Sequence, residues 1–116
     1  MSKEKELKPI VIMDAAGNPE YTLTFTRESV KWAEERGFKI SEVTDYPLTG
    51  ISSLFFFAFR ANHKGIGRPE TDEVYKELKA NRQAVITRLI EMYNASLESL
   101  MSDTTDEKNS TRAVEL

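Results

Sequence analysis

The chain has 116 residues, a formal net charge of -3 and no cysteine, which is one domain's worth of sequence with room for a modest apolar core. Without cysteine there is no disulfide, thiol nucleophile or thiolate metal site, and the scattered lysines and arginines of an acidic chain leave no electrostatic footprint for nucleic acid. The charged start "MSKEKELK" leads into no long apolar segment, and no run approaches the ~20 residues that span a bilayer, so a soluble, cytoplasmic protein with no membrane contact is expected.

In chain order, residues 1–8 read as a flexible N-terminus. Residues 10–25, "IVIMDAAGNPEYTLTF", hold two β-favouring runs around Gly17, Asn18 and Pro19, which are turn residues. They predict a hairpin with strands near 9–14 and 20–25. Tyr21, Leu23 and Phe25 alternate with Thr22 and Thr24, so one face of the hairpin needs covering. Thr26 stands where an N-cap belongs, Glu28 suits the positive helix end, and "RESVKWAEERG" runs to Gly37 at the left-handed C′ position. Residues 38–46 return Phe38 and Ile40 to the core and predict a connection with one short turn capped by Ser41.

Thr49 is expected to cap a helix from about 50 to 63 that carries Leu54, Phe55, Phe56, Phe57 and Phe59, and Gly65, Gly67 and Pro69 are expected to end it. On a helical wheel Ile51, Leu54, Phe55, Ala58 and Asn62 share one face, extended by Phe59. Phe56 and Phe57 lie off that face and flank a narrow polar stripe of Ser53 and Arg60. Two readings stay open here. Either the helix is central and covered on nearly every side, or Phe56, Phe57 and Arg60 form a partner-binding patch.

A last helical region is expected after Thr71, with Asp72 and Glu73 in its first turn, and near Asn81 two readings stay open, one bent helix or two helices with a pause between them. Val85, Ile86, Leu89, Ile90, Tyr93, Leu97, Leu100 and Met101 then share about half a helix circumference, opposite Thr87, Glu91, Asn94 and Glu98. From residue 103 the composition is Ser, Thr and charge, which predicts a disordered tail over 103–116. The expected fold is α+β and mainly helical, one domain over residues 9–102 with the N-terminal hairpin packed against three to five helices.

Motifs for chemistry are scarce. His63, the single histidine, reads as a cation at a helix end rather than a catalytic or metal-ligating group. "GIGRP" lacks the preceding strand and the spacing of a phosphate-binding loop. Glu34 with Glu35 and Asp72 with Glu73 are sequence neighbours, so neither pair faces itself across a cleft as an acid and base would. No enzymatic activity, cofactor or metal is expected.

The order of features resembles the small tail assembly chaperones of long-tailed, siphovirus-type phages of Gram-positive bacteria. The residues that carry the likeness are the short hairpin, "YTLTFTRESVKWAEERGFKISEV", the Pro-led "YPLTGISSLFFFAFRANHKG", "TDEVYKEL" and the long helix ending "LIEMYNASLESLM", spanning about residues 20–101. The resemblance implies a non-enzymatic helper that binds the tape measure protein in the host cytoplasm while tail tube protein assembles around it, and that is absent from the mature virion. It further implies a longer product by programmed frameshifting, for which "EKN", Glu107 to Asn109, offers an address if its codons contain a slippery heptamer. Self-association fits the same role. The rival reading is a small helical regulator that binds a protein or nucleic-acid partner.

Overall fold

The computed structural model describes residues 8–106. Two strands, β1 (Ile10–Met13) and β2 (Pro19–Leu23), are followed by α1 (Arg27–Glu35), α2 (Glu42–Asp45), α3 (Pro47–Ala58), α4 (Arg68–Leu78), a 3-10 turn (Lys79–Asn81) and α5 (Arg82–Asp106). The fold is therefore an antiparallel hairpin with helices packed against it, as the alternation and the helical periodicities require. No described helix is long and apolar enough to cross a membrane.

The hairpin pairs Ile10 with Leu23, Val11 with Thr22 and Ile12 with Tyr21, with a bulge between Ile12 and Met13. Its turn is tied by Asp14, whose carboxylate accepts from the amides of Ala16 and Asn18 at 3.0 and 2.9 Å, and by Gly17 at a φ of 89°, which a residue without Cβ adopts freely. Thr26 caps α1 as expected. Its hydroxyl accepts from the Ser29 amide and the Ser29 hydroxyl accepts from the Thr26 amide, a reciprocal bond that leaves fewer orphan donors at the helix start. Gly37 ends the turn at a φ of 91°.

The third helix corrects the expected boundaries. It begins at Pro47, not after Thr49, because a proline suits the first helical position where no amide bond is needed; Thr49 sits inside it, its hydroxyl donating to the Tyr46 carbonyl. It ends at Ala58, and residues 59–63 are a series of turns closed by the Phe59 carbonyl, which accepts from Asn62 and His63. The fourth helix likewise starts earlier than expected, at Arg68. The Glu70 carboxylate accepts from the Gly67 amide, and Thr71 is fully buried within the helix instead of capping it.

The pause near Asn81 is real. Lys79 takes a φ of 52° with a ψ of -117°, a sparsely populated backbone region that costs a non-glycine residue roughly 1–3 kcal/mol, and Arg82 donates to the Tyr75 and Lys76 carbonyls that α4 leaves open. The long final helix then buries Ile86, Leu89, Met92 and Tyr93 and half-buries Val85, Ile90 and Leu97, while Thr87, Glu91, Asn94 and Glu98 face water. Because it continues to Asp106, residues 103–106 belong to a helix and not to the expected tail. The rest of that tail, most of the expected flexible N-terminus, the frameshift address and the side chains of Leu100 and Met101 lie outside the described residues.

The core is built around α3. Leu54, Phe55, Phe57, Ala58 and Phe59 are buried together with Leu23 and Phe25 of the hairpin side, Val30 and Ala33 of α1, Phe38, Val74 of α4, and Ile86, Leu89, Met92 and Tyr93 of α5. The rings meet mostly edge to face: Phe55 with Phe59 and Tyr75 at 5.2 and 5.3 Å, Phe59 with Tyr21 at 5.3 Å, and Phe57 with Trp32 at 5.5 Å. Such offset contacts are the favoured arrangement of aromatic quadrupoles.

An aromatic and arginine patch as candidate functional site

Of the three residues expected to bind a partner, Phe57 is corrected. Only 4% of it is exposed, and its ring is enclosed by Trp32, Phe38 and Phe56, because α1 and the 38–40 connection cover the side of α3 that a wheel drawn for one helix leaves blank. Phe56 and Arg60 are half-buried and lie at the surface.

These two belong to a larger assembly. The half-buried Trp32 of α1 carries the Arg36 guanidinium 4.0 Å and the Arg60 guanidinium 4.2 Å from its ring centroid. Phe56 lies 6.3 Å from Trp32 and carries the Arg68 guanidinium at 4.8 Å. Arg36 is further held by a bond to the Trp32 carbonyl at 3.2 Å, and Arg68 by a bond to the Ser53 hydroxyl at 3.0 Å. Each element supplies a part for a local reason. Trp32 and Arg36 are one helical turn apart, Phe56 and Arg60 are likewise four residues apart, and Gly67 starts α4 so that Arg68 returns over α3.

An arginine held flat on an aromatic ring has lost much of its rotamer freedom before any partner arrives, and it still presents N–H donors at its edge. Three such groups around Trp32 and Phe56 make a surface that is apolar in the middle and cationic around it. Tryptophan, arginine and aromatic residues in this arrangement are the composition of interface hot spots.

The other sequence candidates do not assemble. Among the described residues no cluster of histidine and carboxylate groups could hold a metal ion, and Glu34, Glu35, Asp72 and Glu73 are all exposed. His63 does not sit at a helix end, since α3 ends five residues earlier, and its ring Nε2 accepts from the Thr22 amide at 3.0 Å. The Trp32 and Arg36 pair was readable as an i, i+4 stack. Arg68 was not, because only the turn at 59–67 brings it to Phe56.

No curated protein and no solved structure matches the chain. It belongs to a family described as a domain of unknown function (DUF5055), whose model matches residues 1–116.

Proposed function

Starting from a family whose description carries no function, we propose that the chain is a non-enzymatic tail assembly chaperone of a long-tailed phage, which binds the tape measure protein in the host cytoplasm, helps recruit tail tube subunits and is left out of the mature virion. The reading starts from the resemblance of residues 20–101 to such chaperones. The observation that carries it further is the patch of Trp32, Phe56, Arg36, Arg60 and Arg68. A long helical client with apolar and acidic residues is kept soluble by a carrier whose apolar surface is small, stiff and rimmed by charge.

The test is co-expression with the tape measure protein of the same phage, followed by affinity capture. The unmodified chain retains the client, while Phe56→Ser and Arg60→Glu fold normally and release it. Retention undiminished by both changes would remove the patch as the client surface. No retention by the unmodified chain would sink the chaperone reading, and capture of nucleic acid in its place would favour the regulator.

A further inference from the structure

The two edges of the hairpin are treated differently by the rest of the chain. On β2, the Thr22 amide donates to His63 Nε2 at 3.0 Å, the Thr22 carbonyl accepts from Asn62 Nδ2 at 3.2 Å, and the Thr24 amide donates to the Ala58 carbonyl at 3.2 Å. The end of α3 and the turn after it thus close that edge, with the Asn62 and His63 side chains and the Ala58 carbonyl. These bonds also fix a direction. Since the Thr22 groups point away from β1, Thr22 and its partner Val11 form a pair without mutual hydrogen bonds. The Val11 amide and carbonyl therefore point away from β2, to the outer edge of β1. No described backbone bond outside the hairpin reaches Val11, whose side chain, with that of Met13, lies on the exposed face of the sheet. Strands left open in this way invite another strand, and soluble proteins ordinarily blunt them with a charge in the strand or by covering them.

We infer that the open edge of β1 pairs with β1 of a second copy, antiparallel and centred on Val11, to form a four-stranded sheet across a two-fold axis. Four features favour a second copy as the occupant. The strand is self-complementary in charge, because Lys8 and Asp14 each lie three residues from Val11 on opposite sides; antiparallel pairing brings the Lys8 end of one strand to the Asp14 end of the other, and parallel pairing would join like charges. The direction of the Val11 groups makes the central pair one that exchanges two N–H to O bonds. Pro9 has no amide to donate, so the ladder is short and its register is set by Val11. Finally, a two-stranded sheet is marginal alone and gains from added strands.

The face below the edge has room for the new strand's side chains. Ile10, Ile12 and Tyr21 line one wall of an open cleft of about 570 Å3, and Val74, Leu78, Ala84, Val85 and Arg88 line the other. Arg88 also holds the start of the strand through the Lys8 carbonyl at 3.2 Å. A partner strand beside β1 carries its own Ile10 and Ile12 on this same face, where they extend the apolar cover between sheet and helices. The contact is isologous, so it closes as a dimer instead of growing into a fibre.

Sedimentation velocity on the full chain, from micromolar to near-millimolar concentration, tests this. A reversible monomer to dimer equilibrium is expected. Val11→Lys places two like charges directly opposite one another and should raise the dimer dissociation constant by about tenfold or more, with the far-ultraviolet circular dichroism unchanged. Lys8→Glu should raise it by a smaller factor. If Val11→Lys disturbs the fold, amide exchange on the unmodified chain decides, since the Val11 amide must become more protected as concentration rises. Monomers at every concentration, or a dimer indifferent to both substitutions and to Val11 protection, would overturn the inference and leave the edge to a strand of another protein.

Discussion

Helix α5 keeps its buried residues, Ile86, Leu89, Met92 and Tyr93, on one side and turns Thr87, Glu91, Asn94 and Glu98 to water. Helix α3 is half as long, yet from Leu54 to Phe57 three of four consecutive residues are buried and the fourth, Phe56, is half-buried. The first is a helix laid on the outside of a core, the second a helix around which the core is assembled. The difference matters for reading function. On α5 an exposed apolar residue would have been a signal, whereas on α3 a ring off the main face is usually one more contact with another neighbour.

The sharpest way to break this comparison is Phe57→Ser. The change removes a ring held by Trp32, Phe38 and Phe56 and leaves a hydroxyl in its place, so a loss of about 3–5 kcal/mol or more is expected. In a domain of this size that is enough to unfold much of the population. Circular dichroism and urea titration measure it. A folded Phe57→Ser chain with a loss below about 1 kcal/mol would return this ring to the surface and α3 to an ordinary amphipathic helix.

Leu89→Ala probes the other side of the comparison. Leu89 is fully buried on the one apolar face of α5, and truncating such a leucine costs about 2–5 kcal/mol. Denaturant unfolding should place it in that range, and a change under about 0.5 kcal/mol would mean that α5 rests on the core without closing it.

Particular residues show what sequence pattern could carry. The hairpin, the Thr26 cap and the buried face of α5 all rest on local chemistry: turn residues, a reciprocal cap, a periodic stripe. Each was readable because its cause lies within a few residues. The fate of Phe56 and Phe57 was not, since both lie off the wheel face and only the approach of α1 and the 38–40 connection decides that one is core and the other rim. The start of α3 was misplaced for a related reason. Thr49 has the side chain of a cap, but Pro47 already supplies a pre-set backbone two residues earlier. For the patch, the four-residue spacings of Trp32 with Arg36 and of Phe56 with Arg60 are local, whereas Arg68 depended on a turn whose path has no periodic signature.

Gly50 tests how tightly α3 is held at its other end. A Cβ at this position would collide with the backbone of Glu42 and Val43 in α2, the nearest atom being the Glu42 carbonyl oxygen. Backbone cannot step aside as a side-chain tip can. Gly50→Ala should therefore force α2 off α3 and cost about 1–3 kcal/mol, despite the better helix propensity of alanine. A thermal midpoint equal to or above that of the unmodified chain would show α2 to be loosely attached.

The smallest expected effect concerns Tyr93, where burial and chemistry disagree. Its ring packs against Phe25 and Phe38 at 5.1 and 5.6 Å, but its buried hydroxyl has no hydrogen-bond partner. Tyr93→Phe keeps the ring and removes the orphan group, so the change in stability near neutral pH should be about zero or a gain below about 1 kcal/mol. The same burial, followed by the nearby Glu34 charge, pushes the phenol pKa up to about 12 from an ordinary value of 10.0. A raised pKa on an acid means that the folded state holds its proton longer than the unfolded state does. Between pH about 10 and about 12 the folded chain then binds more protons, and its stability falls as pH rises through that window. Urea midpoints measured across it should decline less steeply for Tyr93→Phe than for the unmodified chain. If the substitution instead lowers the neutral midpoint by an amount typical of a lost hydrogen bond, the hydroxyl is bonded after all and α5 is tied to its neighbours by more than apolar contact.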